Sequence, residues 1–150
     1  ARILGDYYFK NFKTEEGTAF YTQALDLATT NFEKEKAAAL LANVYLNSDL
    51  EKAAQMTQKA MENNPKNGLY DLLLATIYEK AVKTCGTNEN TKFALYKLAS
   101  ETALTAGKKQ AYLKETSQKV SEKYLEQITN NKLNGKTIKI DCWIQKQVTL

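Results

Sequence analysis

Apolar residues recur at three- and four-residue intervals along most of this chain, in blocks separated by short polar stretches. Ala38, Leu41, Ala42 and Tyr45 make one block, and Ala53 and Ala60 lie in the next, before Pro65. Such spacing gathers apolar side chains on one face of a helix, so the segment predicts two helices joined by a turn at Asn47-Ser48-Asp49. Ser48 or Asp49 can cap the second helix, with Glu51 or Lys52 in its first turn. Pro65, after Asn63-Asn64, ends it, since proline donates no hydrogen bond and disfavours helical geometry in the residue before it. Small residues at Ala42, Ala53 and Ala60 let the two helices nestle antiparallel, while Leu41 and Tyr45 fill the space toward a neighbouring pair.

The block recurs. Upstream, Leu4-Gly5-x2-Tyr8 repeats the first helix and Gly17, Tyr21 and Ala24 the second, with a turn from Lys13 to Glu16 and an exit at Thr29-Thr30-Asn31. Downstream, Leu74-Ala75-x2-Tyr78 begins a third copy, followed by a long turn from Thr84 to Thr91 and a helix over about 91–106 carrying Ala94, Leu98, Ala99 and Ala103 in a shifted register. Gly107 is the expected terminator of that helix. These motifs resemble the tetratricopeptide repeat, whose pattern runs W-x2-L-G-x2-Y, then A-x3-F with a further alanine, then proline. Departures are a turn at 47–49 one residue shorter than usual, Gly17 where alanine is common, and the long turn of the third copy. The chain opens at Ala1 inside a helical pattern, so a longer array toward the N-terminus is expected.

From Lys109 to Thr129, Leu113, Ser117, Val120, Tyr124 and Ile128 form one stripe among lysines and glutamates, which predicts a capping helix with a polar outer face. The period then changes: Ile138, Ile140, Cys142 and Ile144 alternate with polar neighbours and Trp143 after Asn134-Gly135, the pattern of a strand following a tight turn. A lone strand must pair with something, and the candidates are Lys132–Leu133, a second copy of the chain, or sequence beyond Leu150. The fold class expected is all-α, an α-solenoid of about three stacked antiparallel helix pairs with a capping helix over residues 1–130 and a basic, strand-like tail over 131–150.

Composition narrows the function. One proline and six glycines in 150 residues favour helix, and no apolar run approaches the roughly 20 residues that cross a bilayer. The net charge of +4 is C-terminal in origin: residues 108–150 carry nine basic against four acidic groups. A single arginine leaves little for bidentate recognition of phosphate, so a lysine-rich solvated surface is preferred to a nucleic-acid site. The absence of histidine removes the commonest general base and transition-metal ligand, and no glycine-rich phosphate loop is present. Glu15-Glu16 and Glu33/Glu35 sit at turns and helix starts, where carboxylates serve the helix dipole. Nine tyrosines fall largely on apolar stripes and read as core. Cys85, beside Gly86 and near Lys83, can be drawn as a nucleophile; two free structural thiols at Cys85 and Cys142 are the simpler expectation, with a single bridge left open. No enzyme, cofactor or metal is expected.

The resemblance implies a protein- or peptide-binding scaffold whose first helices line a concave surface. The positions pointing there are Arg2, Asp6 and Phe9; Leu40, Asn43, Leu46 and Asn47, with Lys36 beside them; and Leu73, Thr76 and Lys80, with Leu69 nearby. Asn43 and Arg2 are the parts of a carboxylate cradle that the family uses for C-terminal peptides, but Asp6, Leu69 and Leu73 stand where basic groups are wanted. An apolar surface of this kind takes a hydrophobic or helical ligand, or is filled by the segment around Trp143 and Ile144, in cis or across a homodimer. The alternatives are an accessory or regulatory domain of a larger enzyme or cell-envelope assembly, and a basic nucleic-acid-binding helical protein. A cytoplasmic location and export to the periplasm after loss of an N-terminal segment both fit.

Overall fold

A computed structural model describes Ile3, residues 14–128 and residues 135–150. Among these are six α-helices, α1 (Thr14–Asp26), α2 (Asn31–Tyr45), α3 (Leu50–Asn63), α4 (Leu69–Cys85), α5 (Glu89–Lys109) and α6 (Lys114–Leu125), and two strands, β1 (Thr137–Ile140) and β2 (Lys146–Thr149). The chain divides into two compact units, Ala1–Pro65 and Lys66–Leu150. The expected first helix over Leu4–Tyr8 lies outside the described residues.

In the first unit α2 packs against α3 and, on its other side, α1. The α2–α3 seam is built from Ala38, Ala42, Ala53 and Ala60, all fully buried, which brings the helix axes close and leaves Leu41 to fill the remaining space. Antiparallel pairing is fixed at the open end, where Asn64 donates from Nδ2 to Glu35 Oε1 at 3.0 Å. Local sequence sets the boundaries. Thr30 and Glu33 make a reciprocal capping box at the start of α2. Asp49, rather than Ser48, caps α3 by accepting the Lys52 N–H at 3.0 Å. Asn64 then closes α3 just before Pro65.

The second unit is centred on α5, which packs against α4, α6 and the two strands. Ala75, Ala81, Ala94, Ala99, Ala103 and Ala106 are fully buried, the same small-residue device as in the first unit. At the end where α4 begins and α5 finishes, the Lys109 ammonium lies 2.7 Å from Asp71 Oδ2 and Thr105 donates to Asp71 Oδ1 at 2.7 Å. The Gly68 N–H donates to Gln110 Oε1 at 2.8 Å beside this ion pair. On the other flank of α5 the hydroxyls of Ser100 and Ser121 meet at 2.7 Å and join it to α6.

Several expectations are corrected here. The long turn over Thr84–Thr91 does not exist: α4 runs through Cys85, and α5 starts at Glu89 because Asn88 caps it by accepting the Thr91 N–H at 3.0 Å. Gly107 does not end α5, which continues to Lys109. Its role is close approach, since a Cβ there would collide with Ser117 Oγ and lie 2.9 Å from Lys114 Cα. The capping helix is shorter than Lys109–Thr129: Lys109 belongs to α5, 3₁₀ turns occupy Ala111–Leu113 and Glu126–Ile128, and α6 lies between them. Its stripe does face inward, with Leu113, Ser117 and Tyr124 buried.

The partner seen among the described residues is a second strand of the tail itself, and Lys132–Leu133, one of the expected partners, lies outside those residues. β1 pairs antiparallel with β2 inside the tail itself, Ile138 opposite Val148 and Ile140 opposite Lys146. The reversal is a turn in which the Gln145 N–H donates to the Cys142 carbonyl at 3.1 Å and Gln145 takes a φ of 45°, the left-handed residue that such a loop needs. Ile138, Ile140, Ile144, Val148 and Leu150 are buried, whereas Thr137, Lys139, Gln147 and Thr149 are exposed. Cys85 and Cys142 are not free thiols. They form a disulfide, with Cα atoms 5.8 Å apart and a sequence separation of 57. A closure of that length removes about 4 kcal/mol of chain entropy from the unfolded state in the loop-closure account.

Candidate functional site

The α2 residues singled out for a binding surface lie on one side of that helix. Lys36, Leu40, Asn43 and Asn47 follow at three- and four-residue steps, which places them in a row along one helical face and its C-terminal extension, and Phe32, which was not among the expected positions, continues that row toward the N-terminus. Asn43 and Asn47 are exposed and Leu40 and Leu46 half-buried. The Asn43 amide donates to the Ala39 carbonyl at 2.9 Å, which fixes its rotamer and turns its other face outward.

At the N-terminal end of this row the surface is concave. A groove of about 510 Å³ opens between α2, through Phe32, Lys36 and Ala37, and the end of α1 with the turn after it, through Ala24, Leu27 and Ala28. Leu27 and Phe32 are 68% and 62% exposed, high values for large apolar side chains that no packing demands on the surface. The Lys36 ammonium lies over the Phe32 ring, 5.4 Å from its centroid, so the cation and the ring are presented together. Glu33 stands on this wall as an ionised, exposed carboxylate. Its Oε2 accepts from the backbone and hydroxyl of both Thr29 and Thr30 at 3.0–3.2 Å. The backbone hydrogen bond from Thr30, then that from Thr29, holds the Glu33 carboxyl below the usual carboxylate range. The wall therefore carries one anion, Glu33, anchored at the helix start, and one cation, Lys36, over the Phe32 ring.

The α4 positions behave differently. Leu73, Thr76 and Lys80 are half-buried and Leu69 is 48% exposed. Thr76 donates to the Leu72 carbonyl at 3.0 Å and is hydrogen-bonded to the Tyr124 hydroxyl, which α6 brings over this part of α4. Burial first, and the nearby Glu79 carboxylate, raise the Tyr124 phenol above its ordinary value despite that hydrogen bond. Thr76 thus carries a structural load. Arg2, Asp6 and Phe9 lie outside the described residues.

Helix residues advance by about 100°, so Cys85 and Thr76 lie half a turn apart. The disulfide fastens the hairpin on the Cys85 side, where the Lys146 ammonium sits 5.5 Å from the Tyr78 ring centroid. Cys85, paired and 5% exposed, offers no thiolate for nucleophilic chemistry. Among the described residues no cluster of three or more His, Cys, Asp or Glu could hold a metal ion, and no helix is long and apolar enough to cross a membrane.

No protein-family model matches the chain, and no curated protein matches it significantly. Leu27 and Phe32 were not legible as site residues in sequence, where each is a single apolar residue at a helix boundary. The signal available was their proximity to Lys36 once α1 and α2 are folded as neighbours across the short Thr29-Thr30 exit.

Proposed function

We propose that this protein is a non-catalytic scaffold of tetratricopeptide type that binds a partner protein through a short peptide segment, and that the α1–α2 groove is the contact surface. The observation that carries this reading is the pairing of two strongly exposed apolar side chains, Leu27 and Phe32, with a cation, Lys36, around a 510 Å³ concavity. Exposed aromatic and aliphatic anchors beside a cation whose neighbouring carboxylate, Glu33, is already engaged by four hydrogen bonds favour a ligand with an apolar side chain next to a carboxylate. The row Leu40, Asn43 and Asn47 continues from the groove and supplies amide groups for the peptide backbone. Small-residue helical hairpins in both units support the repeat reading, in which such hairpins stack as a solenoid. Selection from a random peptide display library tests it: enriched sequences should pair an apolar residue with Asp, Glu or a free C-terminus. Enrichment of basic peptides, or none above background, contradicts it.

A second reading has its own support. A disulfide within so small a chain fits an oxidising compartment better than a reducing one. This favours an exported accessory domain of a cell-envelope assembly over a cytoplasmic adaptor, and the thiol state of the protein recovered from its native cells, trapped by alkylation, decides between them.

A further inference from the structure

We propose that the Cys85–Cys142 bridge is a latch: the C-terminal hairpin is held on α5 while the bridge is intact and leaves the helices when a dithiol reduces it. The hairpin is poorly equipped to stay in place unaided. Each of its strands is four residues long, and a sheet of two such strands is marginal by itself. Its docking rests on Ile138, Ile140, Ile144, Val148 and Leu150, whereas ordering costs accrue at every residue from 135 to 150. The turn adds strain, since Gln145 holds a left-handed φ of 45° without being glycine.

The helices, by contrast, have their own fastening. The Asp71–Lys109 ion pair and the Gly68–Gln110 hydrogen bond close the α4–α5 pair at the end remote from Cys85, and the Ser100–Ser121 contact holds α6 to α5. Losing the hairpin removes none of these. The bridge therefore sits between a self-sufficient helical body and an appendage that depends on it. Because the helices stay folded when the bridge opens, the loop it closes spans only about 15 residues, from Ile128 to Cys142, which favours the docked form on the order of a hundredfold in the chain-entropy account and is enough to decide a marginal equilibrium.

Access also fits a latch. Cys85 is buried, but Cys142 is half-buried in the turn, next to Trp143, the chain's single tryptophan. A thiolate of the dithiol attacks the Cys142 sulfur and the S–S bond breaks, with Cys85 leaving and taking a proton from solvent. The second thiol of the reductant then displaces Cys142, so two electrons have passed, two protein thiols are formed and the reductant ends as a disulfide. Release uncovers the side of α5 beneath the hairpin and takes Lys146 off the Tyr78 ring.

Hydrogen exchange read by mass spectrometry tests the proposal on the whole chain, oxidised, after dithiothreitol, and as the Cys85→Ala/Cys142→Ala variant. Expected is a loss of amide protection over 137–150 of at least a hundredfold in both bridge-free forms, a red shift of Trp143 emission, and unchanged protection in α4–α6. Two results overturn it. Retained hairpin protection in the double variant makes the bridge an inert staple, and loss of protection through α4–α6 makes the hairpin part of the core. The variant settles the matter even if the bridge resists the reductant.

Discussion

The clasp between the start of α4 and the end of α5 gives a quantitative forecast. Asp71 has a side chain only 5% exposed and Lys109 one 28% exposed, with their charged atoms 2.7 Å apart. At an effective dielectric of about 20, unit charges some 4 Å apart attract by about 4 kcal/mol, but desolvating the nearly buried carboxylate cancels much of this. The Oδ2 contact is an ion pair without hydrogen-bond geometry, so the cost of leaving a buried polar group unsatisfied, about 1–3 kcal/mol, is the relevant scale. Lys109→Met keeps the aliphatic stem and leaves a buried carboxylate held only by Thr105, so it should cost about 2 kcal/mol. Asp71→Asn frees Lys109 to reach water and should cost about 1 kcal/mol. Urea unfolding of both single variants and the double variant, followed by circular dichroism, yields the coupling, expected at about 1–1.5 kcal/mol with unchanged m-values. A coupling below about 0.5 kcal/mol would show that the ion pair does not hold the hairpin closed, and the latch argument would lose its independent helical body.

Three further outcomes follow from named contacts. Asn88→Ala removes the side-chain cap of α5 and should lower stability by about 1 kcal/mol in thermal unfolding, whereas no change would return the helix start to Thr91. Because the Glu33 carboxyl is lowered by its Thr29 and Thr30 hydrogen bonds, its contribution is present above the unfolded-state value and fades as pH falls through the folded one; Glu33→Gln should flatten the acid limb of a stability–pH curve. Tyr124 is raised by burial, so its contribution is intact below the unfolded phenol value near 10 and declines as pH rises toward the folded one; Tyr124→Phe should remove that alkaline decline, and an unaltered curve would count against the burial account.

The helical hairpins were legible because their signal is local. Alanines at 38, 42, 53 and 60 state both helix period and close approach, and Pro65 and Asp49 mark ends by chemistry that acts within a few residues. The third hairpin was misread because the polar run from Thr84 to Thr91 looks like one long turn and Gly107 like a terminator, whereas Asn88 restarts the helix early and Gly107 answers to Ser117 and Lys114 on another element. The tail's alternation was readable but not its partner, since pairing depends on a reversal at 142–145 that contains no Asn-Gly or Asp-Gly signal. The disulfide joins positions that only the docked hairpin brings together. Of the expected binding positions, the α2 row keeps its exposure, and the groove beside it depends on α1, which spacing along one helix does not reveal.

Leu27, Phe32 and Lys36 together are proposed to receive an apolar, acidic peptide. The most direct measurement is the affinity of one display-selected peptide, fluorescently labelled, for the unaltered protein and for Phe32→Ala and Lys36→Glu, with melting temperatures recorded alongside. At least a tenfold weaker Kd is expected for each variant with little loss of stability, since Phe32 is largely exposed and Lys36 half-exposed. Unchanged affinity in both would place the binding surface elsewhere on the molecule.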